Sequence, residues 1–399
     1  MKTHRIVADL LFTNEGPPLR GAAVDVDENG MVLAISGEAT PGVNDLRVTV
    51  ASPGFVNAHC HLELSHLKGR IADDARGMAH FIANMMAFRQ VHIPQAANES
   101  CMTEADGFMW QEGVVAVGDV SNTRASLPVK SASLIRYHTF VEVMGLSAEH
   151  AAAILNAGVE LCKEFEAVLG PGRASVTPHA VYSVSRELMK RIFSDHPGHL
   201  PLSIHMQESS DELDYCRNKS GPLADLFKRN KVSDSDFLPY GNEYPLLSLL
   251  KALPPSGRLQ AVHNTFTTVD QLKKAVDSFR ALFFCMCPSA NMFITGRLPD
   301  VPGLVSAGAR LTVGTDSLAS NDRLSMVKEL TLLQEHFSSV PTESLVRWAT
   351  LHGAQFLGLE SEFGSVKPGK TPGFVVLENM NPDNPRFHPE VRAKRISLN

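Results

Sequence analysis

The stretch Pro53-Gly54-Phe55-Val56-Asn57-Ala58-His59-Cys60-His61-Leu62-Glu63 decides the fold. An apolar run of strand length, Gly54 to Ala58, leads directly into two histidines spaced two residues apart. On an extended backbone, residues i and i+2 point to the same side, so His59 and His61 can grip one cation. Structural histidine pairs share this spacing, and its weight therefore depends on how the other strands end.

Seven more apolar runs follow, separated by helix-compatible sequence. They are Val114 to Val120, Ser133 to Val143, Ala174 to Pro178, Leu202 to Ile204, Leu259 to Val262, Leu282 to Cys287 and Arg310 to Val313. Eight buried strands alternating with helices is the count of an α/β fold, the (β/α)8 TIM barrel. Helices are expected over Met78 to Arg89, Met102 to Glu112, Ala148 to Leu169, Arg186 to Phe193 and Val269 to Ser278, with Thr268 capping the last. Leu62 to Gly113 and Glu208 to Arg258 are too long for one helix each, and insertions of this kind wall the site of a barrel.

Before the barrel, Ala22, Val24 and Val26 alternate, and Asn29-Gly30 then leads into apolar Met31 to Ile35. This pattern predicts a hairpin with a two-residue type I′ turn. Arg47 to Ala51 also reads as a strand, as do Phe374 to Leu377 and Val391 to Ser397, which follow a helical tail from Leu324 to Phe356 that stops at Gly358. The expectation is a barrel over residues 53–361 and a small β-sandwich domain built from residues 1–52 and 362–399.

The polar residues that end the runs are His59 and His61, Asp119, Glu142, His179, His205 with Glu208, His263, Asn291 and Asp316. All fall at C-terminal strand ends, the catalytic face of a barrel. Burial alone does not call for histidine and carboxylate there, whereas a converging polar pocket does.

Composition narrows the classes. The 399 residues are 44% hydrophobic and 20% charged, with 37 Lys+Arg against 43 Asp+Glu for a net charge of -6. That balance, with no basic block, argues against a nucleic-acid partner. No run approaches the roughly 18 to 20 apolar residues of a membrane span, and Asp9 interrupts the only leader-like start. A soluble, cytoplasmic protein acting on a small molecule is expected. The six cysteines lack CxxC spacing and read as reduced thiols.

Through PGFVNAHCHLE (53–63), TPHAVYSVS (177–185), HMQES (205–209), VHNTF (262–266), CPSAN (287–291) and GTDSLASN (314–321), the sequence resembles the amidohydrolase superfamily. The likeness is to its cytosine deaminase, S-adenosylhomocysteine deaminase and chlorohydrolase-like branch. The resemblance implies one divalent metal ion per subunit, zinc first and iron second, held by His59, His61, His205 and Asp316. The chemistry agrees, because three neutral imidazoles and a carboxylate leave a cation able to bring water toward a pKa of about 7. Glu208 is then free to move the water's proton to a ring nitrogen of the substrate. Asp316 can also hold the remaining proton, and His263 can hydrogen-bond the water or the developing oxyanion.

A binuclear relative needs a bridging group, commonly a carboxylated lysine ending strand four, and this chain has Thr177-Pro178-His179 there. The resemblance therefore implies a mononuclear site and turns the expectation from dihydroorotase-like chemistry to deamination of an aromatic ring. His179, Glu142, Arg89, Arg124 and Asn291 are the expected substrate contacts. Cys60 stands where relatives usually have threonine, and Thr371-Pro372-Gly373 stands where most have Asp-Ala-Asp. The first is a tolerable change between two ligands, while the second, with the short length, looks like a compact subgroup in which some members resemble aminodeoxyfutalosine deaminases.

The expected function is hydrolytic deamination of a 6-aminopurine nucleoside, with aminodeoxyfutalosine first. Alternatives are S-adenosylhomocysteine or methylthioadenosine, a free base such as cytosine or guanine, an amide or chloro-ring substrate, and a noncatalytic scaffold. A homodimer is the assembly that the resemblance suggests.

Overall fold

The computed structural model describes residues 3–37, 40, 42–72, 76–88, 93–241, 243–253 and 257–398. Arg89 lies outside them. The N-terminal strands are β1 (Thr3–Leu11), β2 (Leu19–Asp27), β3 (Val32–Ser36) and β4 (Leu46–Pro53). All eight expected barrel strands form, as β5 (Phe55–Cys60), β6 (Val114–Ser121), β7 (Arg136–Val143), β8 (Ala174–Pro178), β9 (Pro201–Met206), β10 (Arg258–His263), β11 (Leu282–Met286) and β12 (Arg310–Val313). The chain closes with β13 (Phe374–Glu378) and β14 (Arg392–Arg395).

Strands β5 to β8 pair in parallel in the order β5-β6-β7-β8, and the later four in the order β12-β11-β10-β9. Every residue of β5, β6, β9 and β11 is buried. This double-sided burial explains why the strands read as continuous apolar runs without alternation. The two sheets meet at two seams. At one, Ala180 bridges His205, and the His205 N–H donates to the His179 carbonyl at 2.9 Å. At the other, Cys60 bridges Asp316, and the N–H groups of Thr315 and Asp316 both donate to the His59 carbonyl at 3.1 Å.

Buried polar side chains fix the second seam. Asn57 donates to Thr315 Oγ1 at 2.7 Å and accepts from the Thr315 N–H at 3.1 Å. Gln260 donates to the Ala58 carbonyl at 3.0 Å while accepting from Thr312 Oγ1 at 2.8 Å. Gly314 permits the approach, since a Cβ there would stand 2.7 Å from the His59 Cβ and carbonyl.

The chain ends form one six-stranded sheet, β14-β13-β4-β1-β2-β3, in place of the two layers expected of a sandwich. The expected β2–β3 hairpin forms, but its turn is not type I′. Gly30 (φ 80°) takes a positive φ and Asn29 does not. The Asp27 carboxylate accepts from the N–H groups of Asn29 (2.9 Å) and Met31 (2.8 Å), which favours a longer turn closed by Gly30 N–H on the Asp27 carbonyl.

Between the strands run α1 (Met78–Phe88), α2 (Gln95–Gln111), α3 (Leu127–Ala132), α4 (Ala151–Leu169), α5 (Arg186–Asp195), α6 (Ser210–Asn218), α7 (Gly221–Arg229), α8 (Pro245–Ala252), α9 (Val269–Ser278) and α10 (Pro288–Thr295). The expected span of α9 is met at both ends, and Thr268 caps it by accepting from the Gln271 N–H. Helix α2 starts earlier than its apolar periodicity suggested, and α4 starts later. The run from Ser133 opens outside β7, because Ser133 Oγ accepts from the Ile135 N–H and turns the chain before the strand begins. The two insertions are helical, α1 and α2 in the first and α6 to α8 in the second. Helix α11 (Val301–Ser306) precedes β12, and the tail runs through α12 (Met326–His336), α13 (Thr342–Arg347) and α14 (Gly353–Leu357), with Gly358 (φ 74°) ending it as expected. Among the described residues no helix is long and apolar enough to cross a membrane.

Candidate metal centre and active site

Four side chains converge where β5, β9 and β12 end. His59 Nε2 and His61 Nε2 lie 3.1 Å apart, and His61 Nε2 is 3.3 Å from His205 Nε2. Asp316 Oδ1 stands 3.4 Å from His61 Nε2 and 3.7 Å from His59 Nε2. Ligand bonds of about 2.1 Å set donors about 3.0 to 3.6 Å apart around a cation that keeps one further position open, so the spacing fits.

The donor set fits as well. His205 Nδ1 lies 2.9 Å from the His179 carbonyl, which calls for a proton on Nδ1 and leaves a lone pair on Nε2. Burial, reinforced by the neighbouring imidazoles, lowers His59 well below the ordinary histidine value. Burial, then His179, brings His205 down to about 3. Both are neutral at pH 7, as metal ligands must be. Asp316 is steadied by Ser320 Oγ, which donates to Oδ2 at 2.9 Å.

Glu208 follows on the turn after β9, and its Oε1 lies 3.5 Å from His263 Nε2. Burial, then the Asp316 charge, pushes the Glu208 carboxyl well above the usual range. A carboxyl whose protonated form is favoured in this way can act as proton carrier between water and substrate. His263 is also fully buried, and burial holds its pKa down. Asn291 Nδ2, which can only donate, lies 3.2 Å from His263 Nδ1. The His263 proton therefore sits on Nε2, facing Glu208. This tautomer separates His263 from His59 and His205, although the three rings lie close enough to share an ion.

The other expected substrate contacts divide. Glu142 and His179 line the cavity over the centre, with Glu142 Oε1 3.5 Å from His205 Nδ1 and His179 Nδ1 2.6 Å from Ser183 Oγ. Asn291 does not line it. The residue is fully buried, and its amide is used on His263 and, at 2.9 Å, on Thr265 Oγ1. Arg124 points to solvent, with its side chain 76% exposed and 3.8 Å from Glu164. It lies on the connection after β6, where no strand alternation dictates which way a side chain faces.

Asp119 ends β6 as expected but serves the scaffold. It forms a 2.7 Å ion pair with Lys130, both side chains wholly buried, and accepts from the Leu62 N–H at 2.7 Å. Thus it anchors the backbone one residue beyond His61. His66 is used on Asn98 and the Glu63 carbonyl. All six cysteines are free thiols; Cys60, Cys216, Cys285 and Cys287 are wholly buried or nearly so, and burial pushes the thiols of Cys60, Cys216 and Cys287 well above the usual range.

The cavity above the centre measures about 350 Å³. Its floor is His61, His205, His263, Glu208 and Asp316, and its opposite wall is apolar, with Met78, Phe81, Ile82 and Met85 from α1 and Met144 and Leu146 after β7. Tyr182, Ser183 and Asn122 also line it, and sequence reading missed all three. A larger open groove of about 670 Å³, beside Arg186, Lys190 and Tyr240, holds none of these groups.

The model of the amidohydrolase family matches residues 50–394, most of the chain and the whole centre. The chain belongs to the amidohydrolase family. As an amidohydrolase it is a hydrolytic enzyme that acts on carbon–nitrogen bonds. Among curated relatives, 5-methylthioadenosine/S-adenosylhomocysteine deaminase of Haloquadratum walsbyi is 25% identical over 84% of this chain and 72% of its own. Aminodeoxyfutalosine deaminase of Deinococcus radiodurans is 26% identical over 79% of this chain and 75% of its own. The crystal structure of Helicobacter pylori aminofutalosine deaminase in complex with methylthio-coformycin superposes with a TM-score of 0.77 at 23% identity, covering 94% of this amidohydrolase and 92% of that chain. At that identity the likeness concerns the fold.

Proposed function

We propose that this amidohydrolase removes the exocyclic amine of a 6-aminopurine nucleoside by hydrolysis, with 6-amino-6-deoxyfutalosine as its first substrate. The observation that carries the reading is the pairing of a raised, buried Glu208 with the Nε2–H of His263 beside a three-histidine, one-aspartate cluster. The deaminase names of relatives near 25% identity support the nucleoside class. The α1 wall supports a bulky apolar 5′ substituent, because it gives such a group a dry surface.

His59, His61, His205 and Asp316 hold a single divalent ion in this reading, and a nitrogen-rich set with one carboxylate suits zinc, with iron second. The ion supplies Lewis acidity and lowers the pKa of water toward neutrality. Glu208 takes a proton from the attacking water and delivers it to the purine ring nitrogen next to the amine-bearing carbon, which makes that carbon electrophilic. His263 donates from Nε2 to the oxygen that adds to this carbon, and Asp316 holds that oxygen's remaining proton. Asp316 then passes that remaining proton to the amine, which leaves as ammonia. Glu142, held by the Asn122 amide that donates to its Oε2 at 3.1 Å, accepts from a ribose hydroxyl, and His179 orients the base. The two parallel sheets read as one (β/α)8 barrel over residues 53–361, with the chain ends as a second, small β domain.

Ammonia release tests the reading. Metal-loaded protein is offered aminodeoxyfutalosine, S-adenosylhomocysteine, methylthioadenosine, adenosine, cytosine and guanine. Turnover is expected on the nucleosides and highest on the first. Turnover on cytosine or guanine alone overturns the nucleoside assignment, and silence with metal bound overturns deamination of this class.

A further inference from the structure

The Glu208 carboxylate has little of its own to hold it. Beyond the 3.5 Å approach of His263, no side chain among the described residues hydrogen-bonds it. Its position is therefore set by its backbone, and that backbone is unusual. Gln207, immediately before it, has φ 48°, in the left-handed region that a glutamine rarely takes without support.

The support comes from Glu212. Its side chain is fully buried, and its two oxygens accept from successive backbone N–H groups, Oε1 from Gln207 at 2.9 Å and Oε2 from Glu208 at 2.8 Å. Ser209 caps α6 by accepting from the Glu212 N–H at 3.1 Å. The sequence Ser209-x-x-Glu212 is thus a capping box. Its glutamate reaches past the usual position to grip the turn that carries Glu208. The Gln207 carbonyl and side chain extend the grip toward the end of β10. The Phe266 N–H donates to that carbonyl at 2.9 Å, and Gln207 Nε2 donates to Gln271 Oε1 at 2.8 Å.

We propose that Glu212 is a positioning residue for the acid/base step: its carboxylate holds the left-handed turn at Gln207 and so aims Glu208 at His263. The proposal rests on the proton-transfer role given to Glu208 above. The adjacent Asp211 provides an internal comparison, because its carboxylate goes the other way and accepts from the Ala79 N–H of α1 at 2.9 Å.

The test is Glu212→Gln, which keeps the shape but turns one acceptor into a donor facing a backbone N–H. With the best substrate of the panel, kcat is expected to fall about 10- to 100-fold, with KM within a factor of about two and metal content unchanged. Asp211→Asn is expected to keep the parent kcat. A parent-like kcat in Glu212→Gln overturns the proposal, and so does an equal fall in both variants, which marks general loosening of α6. If Glu212→Gln does not fold, Glu212→Asp, whose shorter side chain cannot span both N–H groups, is read against the same criteria. A crystal structure of the folded variant separates this inference from the functional reading. Glu208 displaced from His263 upholds the positioning even if no substrate of the panel is turned over. Glu208 left in place refutes it.

Discussion

Asn291 offers a measurement on which two roles give opposite results. As a substrate contact, its loss raises KM. In the structure it touches His263 from behind, through a 3.2 Å hydrogen bond that keeps the imidazole proton on Nε2. In Asn291→Ala that bond is gone, and the neutral ring is free to carry its proton on either nitrogen. A lost buried hydrogen bond between neutral groups amounts to about 1 to 1.5 kcal/mol. At about 1.4 kcal/mol per tenfold in rate, kcat falls about 5- to 13-fold. KM stays put, because the side chain is fully buried and lines no part of the cavity. Asn291→Asp goes further, since a carboxylate draws the proton to Nδ1 and leaves Nε2 without a donor. Steady-state ammonia release by the parent and both variants, with metal content checked, gives the order parent, Ala, Asp for kcat. A rise in KM at constant kcat in Asn291→Ala refutes the argument.

Glu208→Gln is expected to bind metal as the parent does while losing about 10²- to 10⁴-fold in kcat, whereas Asp316→Asn loses both metal and turnover. Metal analysis beside activity checks both, and parent-like turnover in Glu208→Gln removes the acid/base assignment. Lys130→Met leaves Asp119 charged and unpaired in a site with no exposure, for a loss of about 3 to 5 kcal/mol. Denaturant unfolding reads this, and a loss under about 1 kcal/mol contradicts it. His138, away from the centre, is pushed down to about 3 by burial and then by Arg173. Unfolded chains protonate it below about pH 6.5, while the native state resists until about 3, so the stability it confers is present above pH 6.5 and is lost as pH falls through that window. The stability gap between the parent and His138→Gln therefore narrows on acidification from about pH 8 to about pH 5, and a constant gap contradicts the assignment.

The chemistry-bearing residues were legible where backbone geometry dictated side-chain direction. His59 near the end of β5 and His61 just beyond it are two apart on extended chain, and His205, His263 and Asp316 fall at or just past the ends of β9, β10 and β12, because buried strands leave polar residues at their mouths. Beyond the strand ends, direction was not encoded locally. Arg124 and Asp119 sit near the catalytic face in sequence, yet one turns to solvent and the other meets Lys130, a partner that the α3 crossover supplies. Asn291 reached the site only through α10, whose helical start behind Pro288 set it against His263 instead of the cavity. The Ser209/Glu212 spacing carried a capping-box signal, but the target of the glutamate depended on the left-handed turn at Gln207. The hairpin turn was misread because Asn29-Gly30 fits type I′ locally, and the Asp27 carboxylate outweighed that preference.

Gln207, His263, Asn264 and Asp316 all hold positive φ at the mouths of their strands. Glycine relieves such backbone at any of these positions, by about 1 kcal/mol or more. At His263 and Asp316 the residue that eases the chain is also the one that erases the chemistry. Each of these side chains is also buried, so glycine leaves a cavity that costs about 2 to 5 kcal/mol, more than the strain it relieves. A hunt for heat resistance therefore gains nothing at these strand mouths, Asn264 included, whose buried side chain donates to the Ala261 carbonyl at 2.8 Å, and robustness does not compete with chemistry there.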